Sequence, residues 1–269
     1  MIDLDFLENL ARESGRAILE VYATPFDVER KEDESPLTLA DKRSHEIITA
    51  ALRSRYPDIP VISEEGAAAP YSTRRDWPRF WLVDPLDGTK EFVRRNGEFT
   101  VNIALVEGNR PVIGVIHVPV HNLVYSADVR EGCWRVDDGG RSPLRMRRPD
   151  PEAAVRVVKS RSHPSARLSS IISHLSSYEI IMMGSAFKFC VMAEGGADFY
   201  PRFGPTWEWD TAAGQALVTA AGGVVVDFEG AGFTCNKPDL LNGPFLAACS
   251  LEWLHEKGIM EAAKSFAAQ

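Results

Sequence analysis

The sequence predicts an α+β protein built in two segments, residues 1–150 and 151–269. Two helical patterns open the chain, and a series of short β-rich runs follows them. Beyond residue 151 strand-like and helix-like stretches alternate, as expected for sheets layered with helices. The stretch 139–151, rich in Arg, Pro and Gly, separates the two patterns and marks the expected domain boundary.

Taken in order, Leu4, Leu7, Ala11, Ile18 and Tyr22 fall roughly on one face of a first helix. A second helix follows Pro36. Thr38 is placed to cap it, and Asp41 comes three residues later as the acid of a capping box. Ile47, Ile48, Ala51, Leu52 and Arg55 continue it until Tyr56-Pro57 stops it. Val61-Ile62-Ser63 reads as a strand running into Glu64 and Glu65. Phe80-Trp81-Leu82-Val83 reads as another, running into Asp84-Pro85, with Pro85 ending the strand. The alternating runs 99–106 and 111–118, joined by Glu107-Gly108-Asn109-Arg110, form a hairpin. Residues 123–127 and 133–136 extend it into an antiparallel meander. In the second segment 155–158, 179–182 and 224–227 read as strands, and 186–194, 210–221 and 251–266 as helices.

Composition narrows the function. The chain has 269 residues, 45% hydrophobic and 25% charged, enough for a large core. Its apolar runs are too short to span a membrane, so no integral membrane association is expected. Met1-Ile2-Asp3-Leu4-Asp5 carries acids where a signal peptide needs bases, which points to the cytoplasm. Cys133, Cys190, Cys235 and Cys249 form no CxxC pair and read as small buried residues. A net charge of −8 argues against long nucleic acid as a partner. The basic cluster at 141–148 reads as a solvated loop. No long heptad fixes an oligomeric state, and both monomer and homodimer fit.

The carboxylates carry the chemistry. Glu64 and Glu65 follow one strand, Asp84 and Asp87 another, Asp210 opens a helix, and Asp41 lies in the first turn of one. Buried together, such acids repel unless neutralised, and hard divalent cations with oxygen ligands do this best, which favours Mg²⁺ over zinc. In Asp84-Pro85-Leu86-Asp87-Gly88-Thr89 the stiff Pro85 lets both acids enter one pocket, with the Leu86 carbonyl as a further ligand. Gly88 allows close backbone approach, Thr89 offers a hydroxyl, and a helix starting there would present N–H groups to a phosphate. Each piece alone has a plainer use. Asp87-Gly88 suits a surface turn, Asp41 and Asp210 suit helix caps, and Glu64-Glu65 suits a solvated loop.

The ordered set Asp41, Ser63-Glu64-Glu65, Asp84-Pro85-Leu86-Asp87-Gly88-Thr89 and Trp209-Asp210-Thr211-Ala212-Ala213-Gly214 resembles the inositol monophosphatase superfamily of lithium-sensitive phosphatases, over nearly the whole chain. The resemblance implies a layered αβαβα sandwich. Three stretches are similar to one branch, the CysQ-type 3′(2′),5′-bisphosphate nucleotidases. They are Lys90-Glu91-Phe92 running on through 96–105, Gly184-Ser185-Ala186-Phe187-Lys188-Phe189-Cys190, and Tyr200-Pro201-Arg202-Phe203-Gly204-Pro205. Ala186-Phe187 departs mildly from that branch, where small or aliphatic residues are commoner. The implied substrate is a small phosphorylated nucleotide, adenosine 3′,5′-bisphosphate, a by-product of sulfate activation and transfer, cleaved to AMP and phosphate. 3′-Phosphoadenylyl sulfate is a second candidate.

By the same resemblance two or three Mg²⁺ ions are expected. Glu64, Asp84 and the Leu86 carbonyl match ligands of the first, and Asp84, Asp87 and Asp210 those of the second. Asp41 and Thr89 match the pair that orients and deprotonates an attacking metal-bound water, with Glu64 helping through a third ion. Gly88 and Thr89 match the phosphate cradle, and Ser185 and Lys188 face the nucleotide. Asp87 and Asp210 complete the implied substrate-binding set. Some relatives sit loosely on the inner membrane, for which this acidic chain offers no electrostatic reason.

Rival functions are separable. A covalent aspartyl phosphatase of the haloacid dehalogenase type has one residue between its acids, whereas Pro85 and Leu86 both intervene here. A non-catalytic nucleotide sensor would not need the Asp41–Thr89 pair. Inositol monophosphatase, histidinol-phosphate phosphatase and fructose bisphosphatase share the metal core. Against an uncharged polyol, Lys188 and Arg202 favour a second phosphate, and Tyr200 and Phe203 a base.

Overall fold

Strand alternation sets the layers. A computed structural model describes residues 2–30, 36–161 and 167–267. Helices α1 (Leu4–Tyr22) and α2 (Leu39–Arg55) come first, with a short ladder of β1 (Glu29–Arg30) and β2 (Pro36–Leu37) between them in sequence. Asp3 caps α1 by accepting from the Phe6 N–H, and Thr38 and Asp41 form the capping box of α2. A seven-stranded sheet follows in chain order: β3 (Val61–Ser63), β4 (Arg79–Asp87), β5 (Thr100–Glu107), β6 (Arg110–Val118), β7 (Leu123–Asp128), β8 (Gly132–Asp137) and β9 (Gly140–Leu144). β3 and β4 run parallel, and the remaining neighbours are antiparallel. The short helices α3 (Tyr71–Arg74) and α4 (Thr89–Val93) lie on either side of β4 in sequence.

The second half begins with β10 (Val155–Ser160), α5 (Arg167–Ile172), β11 (Tyr178–Met183), α6 (Phe187–Ala193) and β12 (Phe199–Arg202). Then come β13 (Thr206–Trp207), α7 (Glu208–Ala220), β14 (Val224–Asp227), β15 (Leu241–Asn242), β16 (Phe245–Ala248), α8 (Leu251–Glu256) and α9 (Ile259–Ala267). Five of these strands form a mixed sheet in the order β11-β10-β12-β16-β14, and β13 pairs with β15 separately.

Side chains on alternate faces enter different cores. On β4, Trp81 and Val83 join α1 and α2, while Phe80 and Leu82 join α6 and α7. On the second sheet, Val158, Val225 and Ala247 complete the middle core, and Val155, Val157 and Leu246 meet α5, α8 and α9 on the outer side. The result is α1/α2, sheet, α6/α7, sheet, α5/α8/α9: the αβαβα order. The inner helices pack closely because of glycine. A Cβ on Gly214 of α7 would stand 2.1 Å from the Phe189 ring of α6. Gly214→Ala is therefore expected to cost about 1–3 kcal/mol by overpacking, despite alanine's better helix propensity. Thermal unfolding should show a lowered Tm; an unchanged Tm would mean that α6 and α7 are not packed this closely.

Several sequence expectations need correction. Pro85 does not end its strand, because β4 continues to Asp87 through a bulge. The basic stretch is not simply a solvated loop: β9 occupies its start, and Arg141 bonds Asp5 and the buried Glu8 of α1 at 2.5 and 2.7 Å. The terminal helix is two helices, broken at Gly258, which takes a left-handed φ of +67°. β12 and β16, both inside the second sheet, were not expected at all. Cys133, Cys190 and Cys235 are buried and Cys249 half-buried, all as free thiols. Among the described residues no helix is long and apolar enough to cross a membrane.

Candidate active site

Asp84 stands where β4 slips out of register with β5. The ladder pairs Asp84 with Asn102 and Asp87 with Thr100, three steps on one strand against two on the other. Pro85 sits inside this bulge, where a missing N–H leaves no ladder bond unmade. The turn is braced from both sides. Leu86 N–H donates to Asp84 Oδ1 at 3.1 Å, and Ser44 Oγ on α2 donates to the Pro85 carbonyl at 2.6 Å. Gly88 then takes φ +88°, a left-handed conformation closed to most side chains, and α4 starts at Thr89.

The other acids arrive from three elements. Glu64 follows β3, and its N–H donates to the Val83 carbonyl at 3.1 Å, which extends the parallel pairing up to Asp84. Asp41 and Asp210 occupy the third position of α2 and α7 respectively. Each spends Oδ2 on its own helix cap: Asp41 accepts from Thr38 N–H (2.7 Å) and Oγ1 (2.6 Å), Asp210 from Trp207 N–H (2.8 Å). Capping and site-building are thus done by the same carboxylates. Thr89 Oγ1 lies 3.4 Å from Asp41 Oδ1 and 3.4 Å from the Leu86 carbonyl, so its single proton is shared between two acceptors.

One oxygen each from Glu64, Asp84 and Asp210 fall within 4.8 Å of one another. Burial pushes the Asp84 carboxyl well above its usual range, and the charges of Glu64, Asp87 and Asp210 add to the shift. Asp210 is raised in the same way, by burial and then by Asp87 and Glu64. Acids gathered at such cost, all of them hard oxygen donors, fit a divalent cation such as Mg²⁺. Asp87 lies beside this group rather than within it. Its Oδ2 accepts from Ala186 N–H at 2.5 Å and from Asn102 Nδ2 at 3.4 Å. Burial raises it to about 6, against the pull of Lys188 and the Ala186 N–H.

The second-half residues complete a cleft of about 280 Å³ lined by Glu64, Asp84, Asp87 and Asp210 and by the cations Lys90, Lys188 and Arg202, while Asp41 stands outside the lining and reaches the site through Thr89. Ser185 adopts φ +44°, and its Oγ accepts from Phe187 N–H at 3.2 Å. Lys188 Nζ donates to the Ser185 carbonyl at 2.5 Å and lies 5.5 Å from the centroid of the Tyr200 ring. Burial lowers Lys188 to about 8, while Asp87 opposes the shift. Of the two aromatics expected to stack a base, Tyr200 is buried and Phe203, half-buried, does not line the cleft. Tyr200 is 3% exposed beneath Lys188, and Phe203 packs edge-on against Phe228 in the outer core.

Sequence reasoning missed the residues that fix the start of α7. Glu208 is fully buried and accepts from Asn236 N–H, Lys237 N–H and Lys237 Nζ at 2.7, 3.0 and 2.6 Å. Asn242 Nδ2 donates to the Trp207 carbonyl at 3.0 Å and to Thr211 Oγ1 at 2.9 Å. Nothing in their local sequence marks them, because partners 28 and 31 residues apart meet only in the fold. Trp207 also lines the cleft and stays 39% exposed. The aromatic repeat Trp207-Glu208-Trp209 was its only signal.

The model of the inositol monophosphatase family matches residues 3–266. The 3′(2′),5′-bisphosphate nucleotidase CysQ of Escherichia coli O157:H7 is 49% identical over 230 residues, covering 84% of this chain and 91% of that protein. The crystal structure of CysQ from Bacteroides thetaiotaomicron, a bacterial member of the inositol monophosphatase family, superposes with a TM-score of 0.78 at 39% identity, covering 91% of this chain and 97% of that one. An inositol monophosphatase from Anabaena superposes with a TM-score of 0.77 at 24% identity, covering 97% of this chain and 95% of that one, a likeness of fold alone.

Proposed function

The chain belongs to the inositol monophosphatase family, and on that footing we propose that it removes the 3′-phosphate of adenosine 3′,5′-bisphosphate, giving AMP and phosphate. The observation that carries the choice of substrate is the single cleft that joins the acid cluster to Lys188 and Arg202. The acids, once neutralised, suit the phosphate that is cleaved. Two further cations suit a second phosphate, which an uncharged polyol lacks.

Glu64, Asp84, Asp87, Asp210 and the Leu86 carbonyl are the groups we assign to holding two or three Mg²⁺ ions. Bound there, such ions would offset the clustered charge, clamp phosphate oxygens and lower the pKa of water. The remaining steps belong to the chain. Asp41 is 1% exposed and anchored by Thr38, so its Oδ1 has a fixed position next to Thr89 Oγ1. As the attacking water gives its proton to Thr89 Oγ1, Thr89 passes its own to Asp41 Oδ1. The water oxygen forms the new bond to phosphorus, the bond to the ribose 3′-oxygen breaks, and that oxygen takes up a proton from solvent to leave as the hydroxyl of AMP. Gly88 and Thr89 cradle the phosphate, and Ser185 and Lys188 hold the nucleotide. This reading needs no aspartyl phosphate: Asp84 and Asp87 are assigned to the cations, and Asp87 Oδ2 already accepts from the Ala186 N–H.

The test is kcat/KM with Mg²⁺ on adenosine 3′,5′-bisphosphate, inositol monophosphate and histidinol phosphate. The nucleotide should be preferred by roughly a hundredfold or more, the worth of a well-paired second phosphate. Preference for either of the other two overturns the substrate assignment.

A further inference from the structure

Three aromatic rings line the cleft among its described residues: Phe189, Tyr200 and Trp207. Phe189 and Tyr200 are 2% and 3% exposed, so neither has a face for a ligand, while Trp207 is 39% exposed. An exposed indole that lines a cleft offers a flat apolar face on which a flat ligand can stack.

Trp207 is also held in place. Its ring stacks on Trp209, centroids 5.1 Å apart at 13° between planes, and Trp209 packs against the middle core. Its N–H donates to Asp210 Oδ2 at 2.8 Å and its carbonyl accepts from Asn242 at 3.0 Å. The ring therefore stands within one side-chain length of a cluster carboxylate, on a backbone fixed at both ends. The cleft of about 280 Å³ is open to solvent rather than enclosed, so a nucleoside bisphosphate bound by its phosphates can extend its base over the exposed ring of Trp207.

We propose that Trp207 is the stacking shelf for the nucleobase, a specificity residue that separates nucleotides from phosphates without a base. This rests on the nucleotidase assignment above. One face of the indole is backed by Trp209 and the other is available to a purine or pyrimidine. Stacking of this kind tolerates any base, so the shelf selects for the presence of a base over its identity.

The test compares adenosine 3′,5′-bisphosphate with 1-deoxyribose 3,5-bisphosphate, which carries hydrogen in place of the base, for wild type, Trp207→Ala and Trp207→Phe. Trp207→Ala should lower kcat/KM on the nucleotide about tenfold, mainly through KM, and Trp207→Phe should restore most of it. On the base-less substrate the same variants should stay within about twofold of wild type, because the Trp207 N–H and carbonyl bonds are backbone bonds that survive truncation. Equal losses on both substrates would mean that the ring only positions Asp210, and no loss on either would mean that the base rests elsewhere; both overturn the shelf. A wild type that ignores adenosine 3′,5′-bisphosphate overturns the nucleotidase assignment and the shelf with it, an outcome visible before any variant is made.

Discussion

Asp84→Asn is expected to lower phosphate release from adenosine 3′,5′-bisphosphate by roughly a thousandfold or more, the scale set by losing several kcal/mol of cation-assisted stabilisation. The metal-free protein should nevertheless be at least as stable as wild type. Asp84 is 1% exposed and lies among Glu64, Asp87 and Asp210, so its charge is a burden on the fold without a cation. An amide keeps an acceptor for the Leu86 N–H, now 3.1 Å from Asp84 Oδ1, and so the turn should hold. The pH dependence follows from the raised carboxyl. Between its unfolded value of 3.8 and its higher folded value the native state binds the extra proton, so this stabilisation is complete at low pH and is lost as pH rises through the folded value. In chelator, wild type should therefore lose more Tm than Asp84→Asn on going from acid to neutral pH. A variant that unfolds in chelator while wild type does not would show that Asp84 is structural.

Asp41→Asn should lower kcat by about 10²–10⁴-fold, the usual worth of a positioned general base. The capping box can persist, since the asparagine oxygen replaces Oδ2 as acceptor for Thr38 N–H and Oγ1, now at 2.7 and 2.6 Å. The amide NH₂ then faces Thr89, 3.4 Å from Asp41 Oδ1 in the present structure, and donates where a proton must be accepted. Asp41→Ala removes the cap as well and should cost about 1 kcal/mol of stability on top of the lost turnover. Thr89→Val should resemble Asp41→Asn, and Thr89→Ser should recover most of the activity, because only the hydroxyl is needed. Full turnover by Asp41→Asn would remove Asp41 from the proton path and leave it a helix cap.

That double duty explains why local sequence could not settle the site. Thr38 with Asp41 reads as a capping box and is one; Asp210 reads as a cap and is one. What the local pattern cannot hold is the meeting of α2, β4 and α7 that brings Asp210 to Glu64 and Asp84 and sets Asp41 beside Thr89. Only the ordered motifs, through family resemblance, linked residues so far apart. The first sheet was legible because its strands are long, rich in β-branched and aromatic residues and joined by short turns such as Gly108-Asn109, even though β4, β5 and β6 are buried on both faces. The second sheet was less so. Phe245-Leu246-Ala247-Ala248 is buried on both faces and shows no alternation, so a short apolar run hid a central strand. Tyr200 and Phe203 were reasonable candidates for base stacking by composition. Residues an odd number apart on a strand face opposite sides, and the fold sends Phe203, three residues beyond Tyr200, to the outer core and buries Tyr200 under Lys188. Exposure, which sequence does not report, singles out Trp207 instead.

The central claim is that Glu64, Asp84 and Asp210 gather to hold cations on which phosphate release depends. The most direct measurement is phosphate release from adenosine 3′,5′-bisphosphate by protein stripped of divalent ions with a chelator, then titrated with Mg²⁺. The expected result is no release above background after stripping, with activity restored saturably by Mg²⁺. Undiminished release from the stripped, folded protein would contradict it.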